Sequence, residues 1–473
     1  MPDNHIQNIR SLLLKSGFKD KAEVIPLPGS GSNRQYYRVK FESFNDPSSI
    51  IASYNEDINE NIAYNSFTSH FMSLGFNVPK IYACDNSYRY FLIQDLGDTT
   101  LMDILTTDKE KAYELYEGVI NDLLNFQIEG IKNLDLDVAY PVKSFDSRSI
   151  MWDLNYFKYY FVKPHNIQFN ENNLEDDFEL FTTQLLLSDC NYFNYRDFQA
   201  RNIMFHDNKL WYIDFQGGRL GPLQYDLISL LNQVKANLPD QIKSKLYNSF
   251  TNKLFELLPD QKTVFNKHYT DYEYFRLMQV MGAYGFRGKV QGKGHFLQSI
   301  APSIDALRKL MNSSPLETKF KELNKILGQI IQINDYKTPV SYSGLTISVN
   351  SFSYKKKGIP IDTTGNGGGH VFDCRSLPNP GRLAELRDYT GKDNQIIEYL
   401  ESKTEIMDFI ENVKLILNPS VENYIIRNFS DLQINFGCTG GRHRSVYSTE
   451  TIGKYLQKRY PKAHVVIKHN ELD

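Results

Sequence analysis

Two stretches of this sequence hold residue types whose spacing could do chemistry. The first is Asn194–Gln216, NYRDFQARNIMFHDNKLWYIDFQ. In it Asp197 and Asn202 stand five apart, and Asp214 follows twelve residues later, after the apolar run Leu210–Ile213. A carboxylate that takes a hydroxyl proton, with an amide and a second carboxylate that hold Mg²⁺, is the equipment of phosphoryl transfer. The second stretch is GCTGGRHRS, with Cys438, Thr439, Gly440, Gly441, His443 and Arg444 between a predicted strand and a predicted helix. At such a loop, backbone N–H groups and the positive end of a helix dipole meet and bind an anion. Its Cys-x5-Arg-Ser spacing is also that of cysteine phosphatases, where a thiolate needs a nest of N–H groups and an arginine.

The elements that must position these residues follow from pattern. Asn194–Gln216 reads as loop, strand, turn, strand, with Asp207-Asn208 at the turn and Asp214 just past a strand. A plain β-hairpin with Asx turns would show the same residue types. Upstream, residues 5–16 form an amphipathic helix with Ile6, Ile9, Leu12 and Leu13 on one face. Gly29, Ser30, Gly31, Ser32 and Asn33 then make a turn ahead of the alternating strand Tyr37, Val39, Phe41. Such a turn is either a simple hairpin or a cover for nucleotide phosphates, and Arg34 and Arg38 add charge beside it. The next strand, Ser49–Ser53, has no lysine; Lys40 stands one strand earlier. A helix over 58–74 and strands over 80–84 and 90–94 follow. The last strand runs into Gln94, Asp95, Leu96, Gly97 and Asp98, with Asp98 placed to cap a helix near Thr99-Thr100. From there the pattern is largely helical, over 101–105 and 112–127, and Ser149–Phe161 is an aromatic-rich segment bearing Asp153. Asp226 opens an apolar helix with Leu227, Leu230 and Leu231, where it reads as an N-cap.

Composition bounds the rest. At 473 residues the chain exceeds one ordinary domain, and 41% hydrophobic residues support packed cores. The net charge of −3 gives no general attraction to nucleic acid or to an anionic membrane. Cys84, Cys190, Cys374 and Cys438 are scattered, as suits a reducing compartment. The first residues lack the long apolar core of a signal peptide, and no window approaches a membrane span. The expectation is a cytoplasmic protein without a membrane partner.

YRDFQARN followed by IDFQ resembles the catalytic loop and metal-binding segment of the aminoglycoside phosphotransferase/choline kinase-like superfamily, distant relatives of protein kinases. The resemblance implies an α+β, two-lobed, protein-kinase-like domain, with an N-lobe over 1–96 and a C-lobe over 97–333. It implies ATP as phosphate donor and Mg²⁺ as cofactor. By position, Asp197 is the catalytic base, and Asn202 and Asp214 hold the metal. Gly29, Ser30, Gly31, Ser32 and Asn33 cover the phosphates, and Gln94, Asp95 and Leu96 meet the adenine edge. Arg148 and Asp153 lie near the acceptor, Arg219 reaches the phosphates, and Asp226 supports the loop. Tyr195 stands where the family has His. The lysine-free strand 49–53 matches one branch of the superfamily, the kinases of N-acetylmuramate and N-acetylglucosamine, which phosphorylate the anomeric hydroxyl. A nucleotide-binding pseudokinase is the alternative that the missing lysine and Tyr195 leave open.

Near residue 335 the texture changes, and a polar linker is expected over 334–344. Beyond it, NSFSYKKKGIP, VFDCRSLPNPGRLAELRDYTGKD, NFGCTGGRHRSV and VVIKHNEL resemble the C-terminal domain of the RapZ family. This implies a smaller α/β domain over 345–473. By position, Ser351, Lys355, Asp373, Arg375, Asn379, Cys438, Thr439, Gly440, Gly441, His443 and Arg444 surround a phosphosugar there. A sugar-phosphate effector is the implied ligand. An RNA or protein partner is also implied by the family, without support from the net charge. Gly381 stands where the family often has His, and Thr363–His370 reads as a flexible loop.

Overall fold

The computed structural model describes residues 2–18, 22–28, 34–42, 47–291, 294–333, 344–362, 364, 368–427 and 429–472. The glycine-rich turn 29–33 and nearly all of the expected linker 334–344 lie outside the described residues, as does part of Thr363–His370. The chain forms two compact units: residues 1–282 with 305–331, and residues 283–304 with 332–473.

The first unit opens with helix α1 (Pro2–Lys15) and strands β1 (Ala22–Pro26), β2 (Gln35–Phe41) and β3 (Ser49–Tyr54). Helix α2 (Ile58–Ser73) and strands β4 (Ile81–Cys84) and β5 (Tyr90–Gln94) follow. The five strands make an antiparallel sheet in the order β1-β2-β3-β5-β4. Alternation in β2 and β3 sends Tyr37, Val39, Ile50 and Ala52 to one face, where they meet Ile9, Leu12 and Leu13 of α1. The predicted helix and strands of this lobe are found within a few residues of their expected bounds.

After Gln94 the chain is largely helical: α3 (Leu101–Thr107), α4 (Lys109–Ile128), α5 (Ser147–Phe157) and α6 (Glu171–Leu185). Then come α7 (Leu223–Leu231), α8 (Asp240–Leu257) and α9 (Gln261–Tyr284). The cap of α3 is Thr100, in a capping box with Asp103, and not Asp98. Asp98 instead pairs with Arg38, which is the stronger partner because its charge is opposite. Between α6 and α7 lie four short strands: β6 (Tyr192–Asn194), β7 (Ile203–His206), β8 (Lys209–Tyr212) and β9 (Arg219–Gly221). β7 and β8 form the expected hairpin, and β6 pairs with β9. Asp207 and Asn208 both take positive φ, 49° and 55°, which a tight hairpin turn requires. A common core of Leu101, Val119, Leu123, Phe126, Phe193, Tyr195, Phe215 and Leu227 clamps these strands to α3, α4 and α7.

Further along come α10 (Gly294–Leu297), α11 (Ile300–Ser313) and α12 (Lys321–Ile330). The second unit contains β10 (Thr346–Ser353), β11 (Gly369–Asp373), α13 (Asn394–Lys403) and α14 (Ile406–Ile426). It ends with β12 (Asp431–Cys438), α15 (Arg444–Arg459) and β13 (His464–His469). Residues 394–426 hold two helices rather than one. They break at Thr404, whose hydroxyl caps the Leu400 carbonyl, and the second runs on to Ile426. The four strands are parallel, in the order β11-β12-β10-β13. Parallel strands need crossovers, and α15 supplies the one from β12 to β13. No helix among the described residues is long and apolar enough to cross a membrane.

Candidate active site and anion-binding loop

The first site is built on a loop whose shape is fixed from below. Asp226 sits fully buried in the first turn of α7. Its carboxylate accepts the backbone N–H groups of Tyr195 at 2.7 Å and Arg196 at 2.9 Å. Asp226 therefore supports the loop and does not cap its own helix, whose N-cap is Pro222. Burial pushes the Asp226 carboxyl up to about 7, against the two N–H groups that favour its charge. Arg196 is held in the left-handed region at φ 76°. Such a conformation costs about 1–3 kcal/mol and persists only where its surroundings over-determine it. Here the paired N–H bonds do so.

Tyr195 is packed edge-on against Phe126, Phe193, Phe198 and Phe215. Its hydroxyl donates to the Ile213 carbonyl at 2.6 Å. It thereby ties the loop of Asp197 to the segment of Asp214 from beneath.

Above this floor lie the three residues singled out by spacing. The Asp197 side chain is 49% exposed. The Asn202 amide nitrogen donates to the Asp197 carbonyl at 2.8 Å and to Asp214 Oδ2 at 3.3 Å. Asp214 also has a positive φ, 70°, and its Oδ1 accepts Gln216 Nε2 at 2.8 Å. Although 41% of the Asp214 side chain is exposed, it lies deep among protein atoms. This enclosure, and then the charge of Asp197, holds its carboxyl above the usual range. A cation would reverse that penalty. One carboxylate with one amide oxygen, beside a second carboxylate, is a donor set of the hard-oxygen kind Mg²⁺ takes together with phosphates and water. The residues fit the metal on those grounds.

Around Asp197 stand three arginines. Arg276 Nη2 is buried, without a hydrogen-bond partner, 3.7 Å from Asp197 Oδ1. Arg196 pairs with Asp153 at 2.9 Å, and both Arg196 and Arg276 lie over the Tyr225 ring. Arg219 is buried and donates to the Gly217 carbonyl. Burial first, and the Arg196 charge second, lowers its pKa to about 10. Arg148 is not part of this group. It is exposed, with its guanidinium over Trp152 at 5.1 Å.

At the expected hinge, the Asp95 carboxylate is taken up by Arg38 (2.7 and 3.1 Å), Ser49 (2.8 Å) and the Gly97 N–H (2.9 Å). Its side chain is thus a brace between β2, β3 and the segment after β5. The Gln94 backbone N–H already bonds the Lys80 carbonyl at 2.8 Å.

In the second unit the loop after β12 wraps the Cys438 sulfur. Gly441 N–H donates to Sγ at 3.2 Å, and Ser445 Oγ lies 3.1 Å away. Arg444 is buried, and Nη1 donates to the carbonyls of Arg375 (3.2 Å) and Leu377 (2.6 Å). Nη2 reaches Thr439 Oγ1 at 3.4 Å. The guanidinium a phosphatase aims at its substrate is therefore engaged with backbone here. Asp373 and Arg375 chelate each other, and Asn379 caps the Gly381 N–H. A Cβ on Gly381 would lie 3.0 Å from His443 Cε1. A side chain there would push the His443 ring aside by a few tenths of an ångström. Ser351 is fully buried and bonded to His469 Nδ1 at 2.9 Å, while Lys355 is exposed past the end of β10. Ser353, one pleat beyond Ser351, touches the loop at the Thr439 carbonyl instead.

Sequence reasoning did not single out Glu60, Gln216, Arg196, Arg276 or Ser353. Arg276 had a signal, an arginine amid the apolar run Tyr274–Met281. Glu60 had none, since an acid in a first helical turn is ordinary.

Comparison with known proteins gives a match for each unit. Residues 23–249 match the family described as phosphotransferase enzyme family, and residues 345–473 match the RapZ C-terminal domain. Each match covers less than half of the chain. A nucleotide-binding protein of Pseudomonas syringae is 36% identical over 129 residues, 27% of this chain and 42% of that protein. Another from Pseudarthrobacter chlorophenolicus is 31% identical over 185 residues, 39% of this chain and 57% of that protein. The chain thus spans less than two-thirds of either relative. Among solved structures, choline kinase from Cryptosporidium parvum is 12% identical, with a TM-score of 0.45 over 69% of this chain and all of that one.

Proposed function

We propose that this chain is an ATP-dependent kinase of a small hydroxyl-bearing molecule. The acceptor is an amino sugar of the N-acetylmuramate or N-acetylglucosamine type, phosphorylated at the anomeric hydroxyl. The observation that carries the reading is the convergence of Asp197, Asn202 and Asp214 on a loop pinned by Asp226 and Tyr195. Asp197 Oδ orients the acceptor hydroxyl and takes its proton as the oxygen bonds to the γ-phosphorus. The bond from that phosphorus to the β–γ bridging oxygen breaks, and ADP leaves. Mg²⁺ held by Asn202 and Asp214 supplies charge neutralisation on the phosphates. Asn202 keeps Asp197 and Asp214 in register through its amide nitrogen. Arg276 and Arg196 line the side of Asp197 where an acceptor enters.

The second unit binds a sugar phosphate at the loop 438–443, as effector or second site. The engagement of Arg444 by backbone carbonyls counts against phosphatase chemistry at Cys438.

ADP release from ATP with a panel of sugars tests the reading. Asp197→Asn is expected to lower kcat about 10²- to 10⁴-fold, the usual contribution of general-base catalysis. Full turnover by that variant would remove Asp197 from its role.

A further inference from the structure

The strand where kinases of this fold carry an ATP-binding lysine offers no cation. Ile50 and Ala52 of β3 face α1, and the other side of the strand presents only Ser49, Ile51 and Ser53. Lys40, the nearest lysine, is exposed at the far end of β2 opposite Ser49. At about 3.3 Å per residue it stands about 20 Å along the strand from Arg34.

Arg34, immediately ahead of β2, is placed differently. Its side chain is 10% exposed, and Nη2 meets Glu60 Oε1 of α2 at 2.9 Å. Nη1 lies 4.0 Å from Asp214 Oδ1. Gln216 spans the same two acids, donating to Asp214 at 2.8 Å and reaching Glu60 at 3.4 Å. Resting on the kinase reading above, we infer that Arg34, braced by Glu60, is the residue that grips the nucleotide phosphates, replacing the absent β3 lysine with a cation from the foot of β2.

Two arguments support this. A phosphate-binding cation must face the metal-holding carboxylate, and Arg34 does. A guanidinium is also a planar fork. It can keep one nitrogen on Glu60 while another turns to a phosphate oxygen, which a lysine ammonium does less well. The pair Arg34–Glu60 thus does across β2 and α2 what a lysine–glutamate pair does across β3 and the equivalent helix.

The test is calorimetric titration of the full-length chain with MgADP, alongside KM for ATP. Arg34→Ala is expected to weaken MgADP binding about 10- to 100-fold, the range of a charge-assisted hydrogen bond. Arg34→Lys should recover part of the loss. Glu60→Gln should weaken binding severalfold by releasing the brace, and Lys40→Ala should bind as the parent does. Melting curves without nucleotide establish folding; should Arg34→Ala not fold, Arg34→Lys and Glu60→Gln decide. Arg34 variants that bind MgADP within about twofold of the parent, or a loss that appears in Lys40→Ala instead, overturn the inference and leave the kinase reading standing. A parent chain that binds no MgADP overturns both.

Discussion

At the residue scale, Tyr195 shows how one side chain joins two functional segments. Its ring fills a cage of phenylalanines and its hydroxyl bonds the Ile213 carbonyl, one residue before Asp214. Tyr195→Phe keeps the ring and leaves a carbonyl short of a donor. It is expected to cost about 1–2 kcal/mol of unfolding free energy, measured by urea denaturation, and to lower kcat by loosening Asp214. A variant with unchanged stability and turnover would show that the ring alone sets the loop. Asp214 carries its own pH signature. Its carboxyl is raised by enclosure and by Asp197, while a metal needs it ionised. Protons therefore compete with Mg²⁺-nucleotide, so affinity should rise with pH through the Asp214 titration and level off above it. Binding should release protons on the acidic side, seen as a buffer-dependent heat of titration. Affinity that is flat or falls with rising pH contradicts the assignment.

At the element scale, the loop of Asp197 depends on α7. Asp226→Ala strands two buried N–H groups and frees Arg196 from its strained φ. The expected cost is about 3 kcal/mol or more, read by thermal or urea unfolding, together with loss of turnover. Loss of turnover without loss of stability would mean that Asp226 acts on the chemistry and not on the loop. Much of this scaffold was legible in the sequence because its signals are local. Hydrophobic alternation set out β2 and β3, the Asp207-Asn208 pair marked the hairpin turn, and the spacing of Asp197, Asn202 and Asp214 foretold their meeting. What was not legible depends on tertiary pairing. Nothing near Asp98 in the chain says that Arg38 will claim it, and nothing near Glu60 says that Arg34 and Gln216 will converge on it. Likewise Arg444 fits a phosphatase spacing, yet its neighbours in space are the carbonyls of Arg375 and Leu377.

At the scale of the whole molecule, the chain carries a unit matching the phosphotransferase enzyme family over residues 23–249 and a unit with a parallel sheet. Residues 283–304 cluster with the second unit, although residues 305–331 return to the first. Pieces cut near residue 340 would split a compact unit, so the function belongs to assays of the full chain. The central claim is that the cleft above Asp197 and Asp214 moves a phosphoryl group from ATP to an amino sugar. Phosphorus NMR of the reaction of the intact protein with MgATP and N-acetylmuramate or N-acetylglucosamine tests it most directly. The account predicts conversion of ATP to ADP with a new phosphomonoester resonance coupled to the anomeric proton, absent with Asp197→Asn. ATP that persists unchanged beside both sugars, or a product that forms equally with Asp197→Asn, would contradict it.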